Sequence, residues 1–558
     1  MENADSGLTK NETHQQAGLS AWLNVNTRYW RYSSLLIALV IAIPILVVFA
    51  AWLQPAGDVW QHLVDTVLAE LLTNTFALLI GVGLGVLFIG TGLAWLTAMC
   101  DFPGRKFLDW ALMLPLAVPA YVLAFVMVGL FDFSGPLLSG LRAQGFDTVS
   151  FPEIRSTTGI ILVMVLAFYP YVYMLARLAF ISQGRNLLDS GRVLGLGPWA
   201  AFYKVALPMA RPAIAAGVAL ALMETLADFG AVSVFNYDTF TTAIYKTWMG
   251  LFNITAAAQL ASILLLFVIT ALYIERRLRL RARYETDSKT SKELRFVLTG
   301  FQKYSAIFFC FTVLFIAFAI PVIQLFIWAW EVIAQDLDSR YFRFLFNTLF
   351  LGLFAAFLAS FGALMLAYTY RLRPDRFTKI TVRLATVGYA LPGSVLAVGI
   401  MLVVVWLDNK FLEMIQRTTG FEIQPILTGS ILILIIAYVT RFMAVAYGPI
   451  DSAFDRIRPS VIQAARSLGA GNWKILWRVS MPMLSGGLLS AMLLVFVEVM
   501  KEMPATLLLR PFGWDTLATR IFELTSEGEW ERAALPALAL ILAGLLPVIL
   551  LIKKSRDR

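Results

Sequence analysis

Histidine and cysteine are almost missing: His14, His62, Cys100 and Cys310 are the only examples in 558 residues. A histidine-based metal cluster or a disulfide framework cannot be assembled from so few. No G-x-x-x-x-G-K-[ST] phosphate loop occurs, so the chain does not bring its own ATPase, and any ATP that drives it is bound by a partner. Charged residues make up only 15% against 59% hydrophobic, and apolar runs near twenty residues recur, which excludes a soluble enzyme and indicates a polytopic membrane protein. The net charge of +9 invites a nucleic-acid reading, but its distribution opposes it. Lys and Arg crowd the loops on one side of the apolar spans, and this positive-inside asymmetry places the N-terminus in the cytoplasm. Charge here reports topology, and nucleic acid is not expected as a partner.

What the chain does contain is a duplication. Gln463-Ala464-Ala465-Arg466-Ser467-Leu468-Gly469, nine further residues and Val479-Ser480-Met481-Pro482 repeat Asp189-Ser190-Gly191-Arg192-Val193-Leu194-Gly195 and Val205-Ala206-Leu207-Pro208 at an offset of 274 without a gap. Seven of the twenty aligned pairs are identical, Trp199/Trp473 and Pro208/Pro482 among them, where ordinary residue usage gives roughly one or two. Asn74-Thr75 matches Asn347-Thr348, and Val118-Pro119 matches Leu391-Pro392, at an offset of 273.

In chain order, residues 1–33 are polar and read as a mostly disordered cytoplasmic tail. The first half, 34–274, holds spans near 35–53, 72–98, 108–131, 159–181, 211–234 and 256–274, with the repeated loop at 182–208. A charged cytoplasmic linker, 275–303, runs Arg276, Arg277, Arg279, Arg281 and Arg283. The second half, 304–552, holds spans near 304–328, 345–369, 383–407, 427–449, 484–503 and 534–552, with its loop at 450–482, before the basic cytoplasmic end 553–558. The expected fold class is therefore all-α and polytopic, about twelve transmembrane helices in two parallel six-helix repeats. Pro119 and Pro392 fall inside spans, where they release a backbone carbonyl and can kink the helix, either as part of a gate or as a simple packing irregularity.

Carboxylates stand out in the fifth span of each half. Glu224 and Asp228 align with Glu498 and Glu502, and four-residue spacing puts each pair on one helix face. Uncompensated acids at that depth cost about 2.5 kcal/mol or more each, so they face the bundle interior, water or a base. They line a pathway, where hard oxygen ligands suit a hard cation, or they form a structural network with Lys501, Arg177 and Arg441 as counter-charges. No metal site is firmly assigned.

The doubled loop resembles the E-A-A-x-x-x-G loop of ABC importer permeases, with Asp189 and Gln463 in place of Glu and Gly191 in place of Ala. In that family the loop is a short cytoplasmic helix seated in a groove of the ATPase, which makes Asp189, Ser190, Gly191 and Gly195, with Gln463, Ala464, Ala465 and Gly469, the expected coupling residues. Gly195 and Gly469 are expected to end their helices in the left-handed conformation, and a second short helix is expected to begin at Pro198 and at Asn472. Trp199/Trp473 and Tyr203/Trp477 are expected to anchor the fifth span at the membrane interface or to contact the ATPase. Leu226-Ala227-Asp228-Phe229-Gly230-Ala231, Thr239-Phe240-Thr241-Thr242 and Lys501-Glu502-Met503-Pro504-Ala505-Thr506 are similar to the fused permeases of ferric iron ABC importers. The resemblance implies a type I importer permease fold in a bacterial inner membrane with both termini cytoplasmic. Two ATPase copies carrying ATP and Mg, a periplasmic binding protein and membrane lipid are its implied partners, and the chain itself is no enzyme and holds no cofactor. Permeases for thiamine or a polyamine share such loops; a secondary transporter or channel is the alternative of different class.

Overall fold

The computed structural model describes residues 8–146, 152–182, 200, 202–280, 295–419 and 424–556. Among them, eleven helices are long and apolar enough to cross a membrane, and a further apolar helix, Trp530–Arg556, covers the last expected span. Apart from a two-residue parallel pair, Cys100–Asp101 with Phe296–Val297, the described chain is helical or loop. The N-terminal segment departs from expectation, because a helix runs without a break from Leu8 to Ala50 instead of starting near residue 35. Pro44, its only proline, falls in the apolar run, so no proline interrupts the polar stretch before it, and a single glycine, Gly18, is tolerated there at a cost of about 1 kcal/mol.

The chain folds as two compact units. One comprises Met1–Val47, Phe350–Tyr389 and Leu432–Val499. Within it Trp30 meets Tyr368 edge-on with ring centroids 4.9 Å apart, and Ser34 donates to the Thr369 hydroxyl at 2.9 Å. Arg371 bridges Asp451 and Asp455 at 2.7 and 2.8 Å. Gly388 lies so close to the Thr440 carbonyl that no β-carbon fits there.

The other unit comprises Val48–Leu349, Ala390–Ile431 and Met500–Arg558. Its tightest packing joins Leu68–Met99 to Thr157–Ser182, and small residues make it possible. A β-carbon on Gly81, Gly85 or Gly90 would sit no more than 2.7 Å from Ile161, Val165 or Val172. In lipid, helices associate through such close backbone approach because apolar burial supplies little drive between them.

The third span of each half is a broken helix. The first half has Arg105–Ala111, a 3-10 turn Leu114–Ala117, and then Ala120–Phe131. The second has Arg376–Ala385, a 3-10 turn Gly388–Ala390, and then Gly393–Thr419. Pro119 and Pro392 therefore start helices and do not kink them. Each proline stands just before its helix, where a missing N–H is not needed, and it forces the residue before it out of the helical region: Val118 is extended at φ −91°, ψ 118°.

Candidate functional site

The second copy of the repeated loop forms a helix, Pro459–Ser467, with no buried residue. Gln463 and Ala464 are exposed and Ala465 half-buried, and Leu468 just beyond them is 88% exposed. Gly469 adopts φ +77° and closes the helix. Its N–H donates to Arg466 O at 2.9 Å and that of Ala470 to Ala465 O at 3.0 Å, the paired bonds that satisfy the last carbonyls of a helix ended by a left-handed residue. Asn472 then opens the expected second short helix, Asn472–Ile475, which passes through a π turn, Leu476–Ser480, into the long helix Met481–Lys501. Among the first-copy residues, Asp189, Ser190, Gly191 and Gly195 lie outside the described part of the chain, as does Pro198; a matching π turn, Phe202–Ala206, leads into Leu207–Ala227.

The aromatic residues after the second loop have partners within the protein. Trp473 packs on Trp30 of the N-terminal helix at 5.4 Å and on Trp477 at 5.7 Å, while Tyr368 donates its hydroxyl to Asn472 O at 2.6 Å. Trp30 contributes through a segment that sequence reasoning treated as a tail. Trp30 sits in Tyr29-Trp30-Arg31-Tyr32, which reads as an interface cluster before the apolar run and gives no sign of packing on Trp473.

The intramembrane acids do not form two equivalent pairs on helix faces. The long helices end at Ala227 and Lys501, so Asp228 and Glu502 stand one residue past them. Asp228 accepts from the N–H groups of Ala231 and Val232 at 2.9 and 3.2 Å, and Glu502 from that of Ala505 at 3.0 Å. Each carboxylate thus tops the short helix that follows, Gly230–Val234 or Pro504–Leu509, at the same place in the repeat. Glu224 and Glu498 remain within the long helices, both half-buried. Of the expected counter-charges, Arg177 holds Asp109 through two bonds of 2.6 Å, and Lys501 donates to Leu116 O at 3.2 Å. Breaking a helix strands backbone carbonyls, and in the first half side chains satisfy them. Tyr169 reaches Leu112 O and Tyr173 reaches Asp109 O, alongside Lys501 on Leu116 O.

The segments after the acids are held in matching ways. Thr239 with Thr242, and Thr516 with Thr519, form reciprocal caps on Phe240–Tyr245 and Leu517–Ser526. Asn74 donates to Asp238 O at 2.9 Å and Asn347 to Asp515 O at 2.9 Å, which gives the Asn-Thr repeat a positioning role that its sequence did not disclose. Gly230 sits against Tyr121 and Met503, and Phe229, Tyr245 and Phe522 cluster at centroid distances of 5.3–6.1 Å. Arg510 pairs with Glu523 at 2.8 Å and also with Asp515. Among the described residues no group of three or more His, Cys, Asp and Glu could hold a metal ion.

Comparison with known proteins adds an independent line. The family of binding-protein-dependent transport system inner membrane components matches the chain twice, over residues 88–280 and 349–553. The Fe(3+)-transport system permease protein FbpB 2 of Haemophilus influenzae is 27% identical over 493 residues, 87% of this chain and 90% of that protein. A putative ferric transport system permease protein, FbpB 1, of the same organism is 24% identical over 521 residues, 88% of this chain and 78% of the relative. The molybdenum transport system permease protein ModB of Escherichia coli is 31% identical over 179 residues, 32% of this chain and 71% of that protein.

Proposed function

Because this chain belongs to the family of binding-protein-dependent transport system inner membrane components, with that family's domain present twice, we propose that it forms the whole translocation pathway of an ABC importer for ferric iron. A periplasmic binding protein delivers the ion, and two copies of a partner ATPase supply the energy. The membrane is the bacterial inner membrane, with both chain termini in the cytoplasm, an orientation that the distribution of Lys and Arg supports.

The observation that carries the coupling role is the solvent-exposed helix Pro459–Ser467, ending in the left-handed Gly469 and followed by the bare Leu468–Gly469 corner. The 88% exposed Leu468 gives a docking groove an apolar side chain to bury beside that helix. Asp189–Gly195 is the counterpart for the second ATPase copy. Iron is favoured by the names of the two relatives that span most of the chain. Glu224 and Asp228 in one half, and Glu498 and Glu502 in the other, are the candidate pathway carboxylates, and Asp228 and Glu502 in addition hold the ends of the short helices that follow. ATP-driven closure of the ATPase dimer draws the two loops together and opens the pathway outward; hydrolysis restores the inward-facing state.

The test is uptake into proteoliposomes holding the permease with its ATPase, supplied with loaded binding protein. Ferric ion taken up only with ATP and binding protein, and not displaced by thiamine or spermidine, is the expected result. Uptake driven by an ion gradient without ATP would overturn the class, and displacement by thiamine or spermidine would overturn the cargo.

A further inference from the structure

Two apolar pockets occupy equivalent positions of the repeat, and neither coupling nor the pathway uses them. In one unit a cavity of about 540 Å³ is walled by the end of the Leu68–Met99 helix, the Phe202–Leu207 turn and the start of the Gly300–Leu314 helix. In the other a cavity of about 900 Å³ is walled by Phe361 and Met365, the Gly471–Arg478 segment and the Tyr29–Ile37 stretch of the N-terminal helix. The correspondence is residue by residue: Phe88 and Phe361 stand 273 apart, Tyr203 and Trp477 274 apart. Both volumes fall in the range of about 300–1,000 Å³ typical of ligand pockets.

Their surroundings say what fills them. Phe88 and Phe301, at the rim of the smaller cavity, are 71% and 87% exposed and belong to helices that cross the membrane, so hydrocarbon is the solvent at its mouth. The larger cavity is bordered by Lys474 and Arg478, both exposed and neither ion-paired among the described residues. At the position equivalent to Arg478, Lys204 adjoins Tyr203 of the smaller one. A fatty chain fits the walls, and a phosphate fits the basic edge.

We propose that each of these cavities holds an acyl chain of an anionic phospholipid, with the phosphate on the basic rim. The two lipids are structural ligands of the permease, each seated where the base of a fifth-span helix meets a first-span helix. Their seating requires only that these helices cross a bilayer; it holds whichever face is cytoplasmic and whatever the cargo.

Native mass spectrometry of the full-length permease, released from membranes supplied with phosphatidylglycerol and phosphatidylethanolamine, tests it. Two phosphatidylglycerol molecules retained per wild-type chain are expected. Gly92→Leu blocks the smaller cavity, since a β-carbon there meets only the Phe309 ring at 3.7 Å, and leaves one. Ser305→Leu on the facing helix acts alike and guards against a folding defect of either variant. Lys474→Gln with Arg478→Gln lowers phosphatidylglycerol retention at the larger cavity at least threefold. No retained lipid in the wild type, equal retention of phosphatidylethanolamine, or an unchanged count in both pocket-filling variants would overturn the proposal. So would loss of lipid on binding the ATPase, which would mean that a protein segment takes the site.

Discussion

Replacing Gly469 isolates the contribution of one backbone conformation to coupling. A β-carbon at this position meets nothing within 4 Å, so substitution carries no packing penalty. What it does carry is the φ of +77°, which an L-residue adopts at a cost of roughly 1–2 kcal/mol. That is about a 5- to 30-fold loss in the fraction of chains holding the two closing hydrogen bonds, at 2.9 and 3.0 Å. Asn tolerates the conformation best after Gly, Ala takes the full cost, and a β-branched Val exceeds it. Affinity of the permease for its ATPase, and ATP hydrolysis stimulated by loaded binding protein, should therefore fall in the order Gly, Asn, Ala, Val, with about tenfold between Gly and Ala. Gly486→Ala is the control: it too has open space, but it lies inside the helix Met481–Lys501 without a positive φ. There alanine should stabilise by about 1 kcal/mol and leave coupling intact. Wild-type coupling in Gly469→Val, or equal effects of alanine at both glycines, would refute the reasoning.

Other expectations follow from the same geometry. Gly230→Ala places a methyl 2.5 Å from Met503 and 2.6 Å from Tyr121, and should cost about 1–3 kcal/mol in thermal unfolding through overpacking. A Tm equal to wild type would show that these walls yield. Arg177→Leu leaves Asp109 without its bidentate partner and should cost about 3–5 kcal/mol, while Arg177→Leu with Asp109→Leu should recover most of it; equal losses in both variants would count against the pair. Asp375 caps the helix Arg376–Ala385, and the Thr378 N–H, at 2.8 Å, holds its carboxyl below the usual carboxylate range. A lowered folded value means the stabilisation is complete above the unfolded pKa of about 3.9 and is lost as pH falls through the folded one. The roughly 1 kcal/mol cost of Asp375→Ala at neutral pH should therefore vanish in acid, and a pH-independent difference would exclude the cap.

The spans and the left-handed stop at Gly469 were legible because their signals are local: apolar runs of fixed length, and a glycine after a short amphipathic stretch. The charges were less so. Four carboxylates at matched spacing looked like two equivalent pairs, but the long helices stop one residue before Asp228 and Glu502, and helix ends are the least legible part of a sequence. Lys501 beside Glu502 suggested an ion pair, and only folding brings it to the stranded carbonyl of Leu116, 385 residues away. Proline inside an apolar run was ambiguous for a simple reason: Pro119 as a kink and Pro119 as a helix start leave the same trace in hydropathy. Trp30 illustrates the opposite failure, a residue whose local cluster, Tyr29-Trp30-Arg31-Tyr32, says nothing of the distant Tyr368 and Trp473 it ends up against.

The wide turns Phe202–Ala206 and Leu476–Ser480 also record a history. A π turn is an α-helix with one residue too many, and each of these falls 274 positions from the other with no gap in between. Had the extra residue entered one copy after the gene doubled, the two stretches would be out of step by one. The simplest ancestry has a single six-span unit that already carried the insertion before it was doubled.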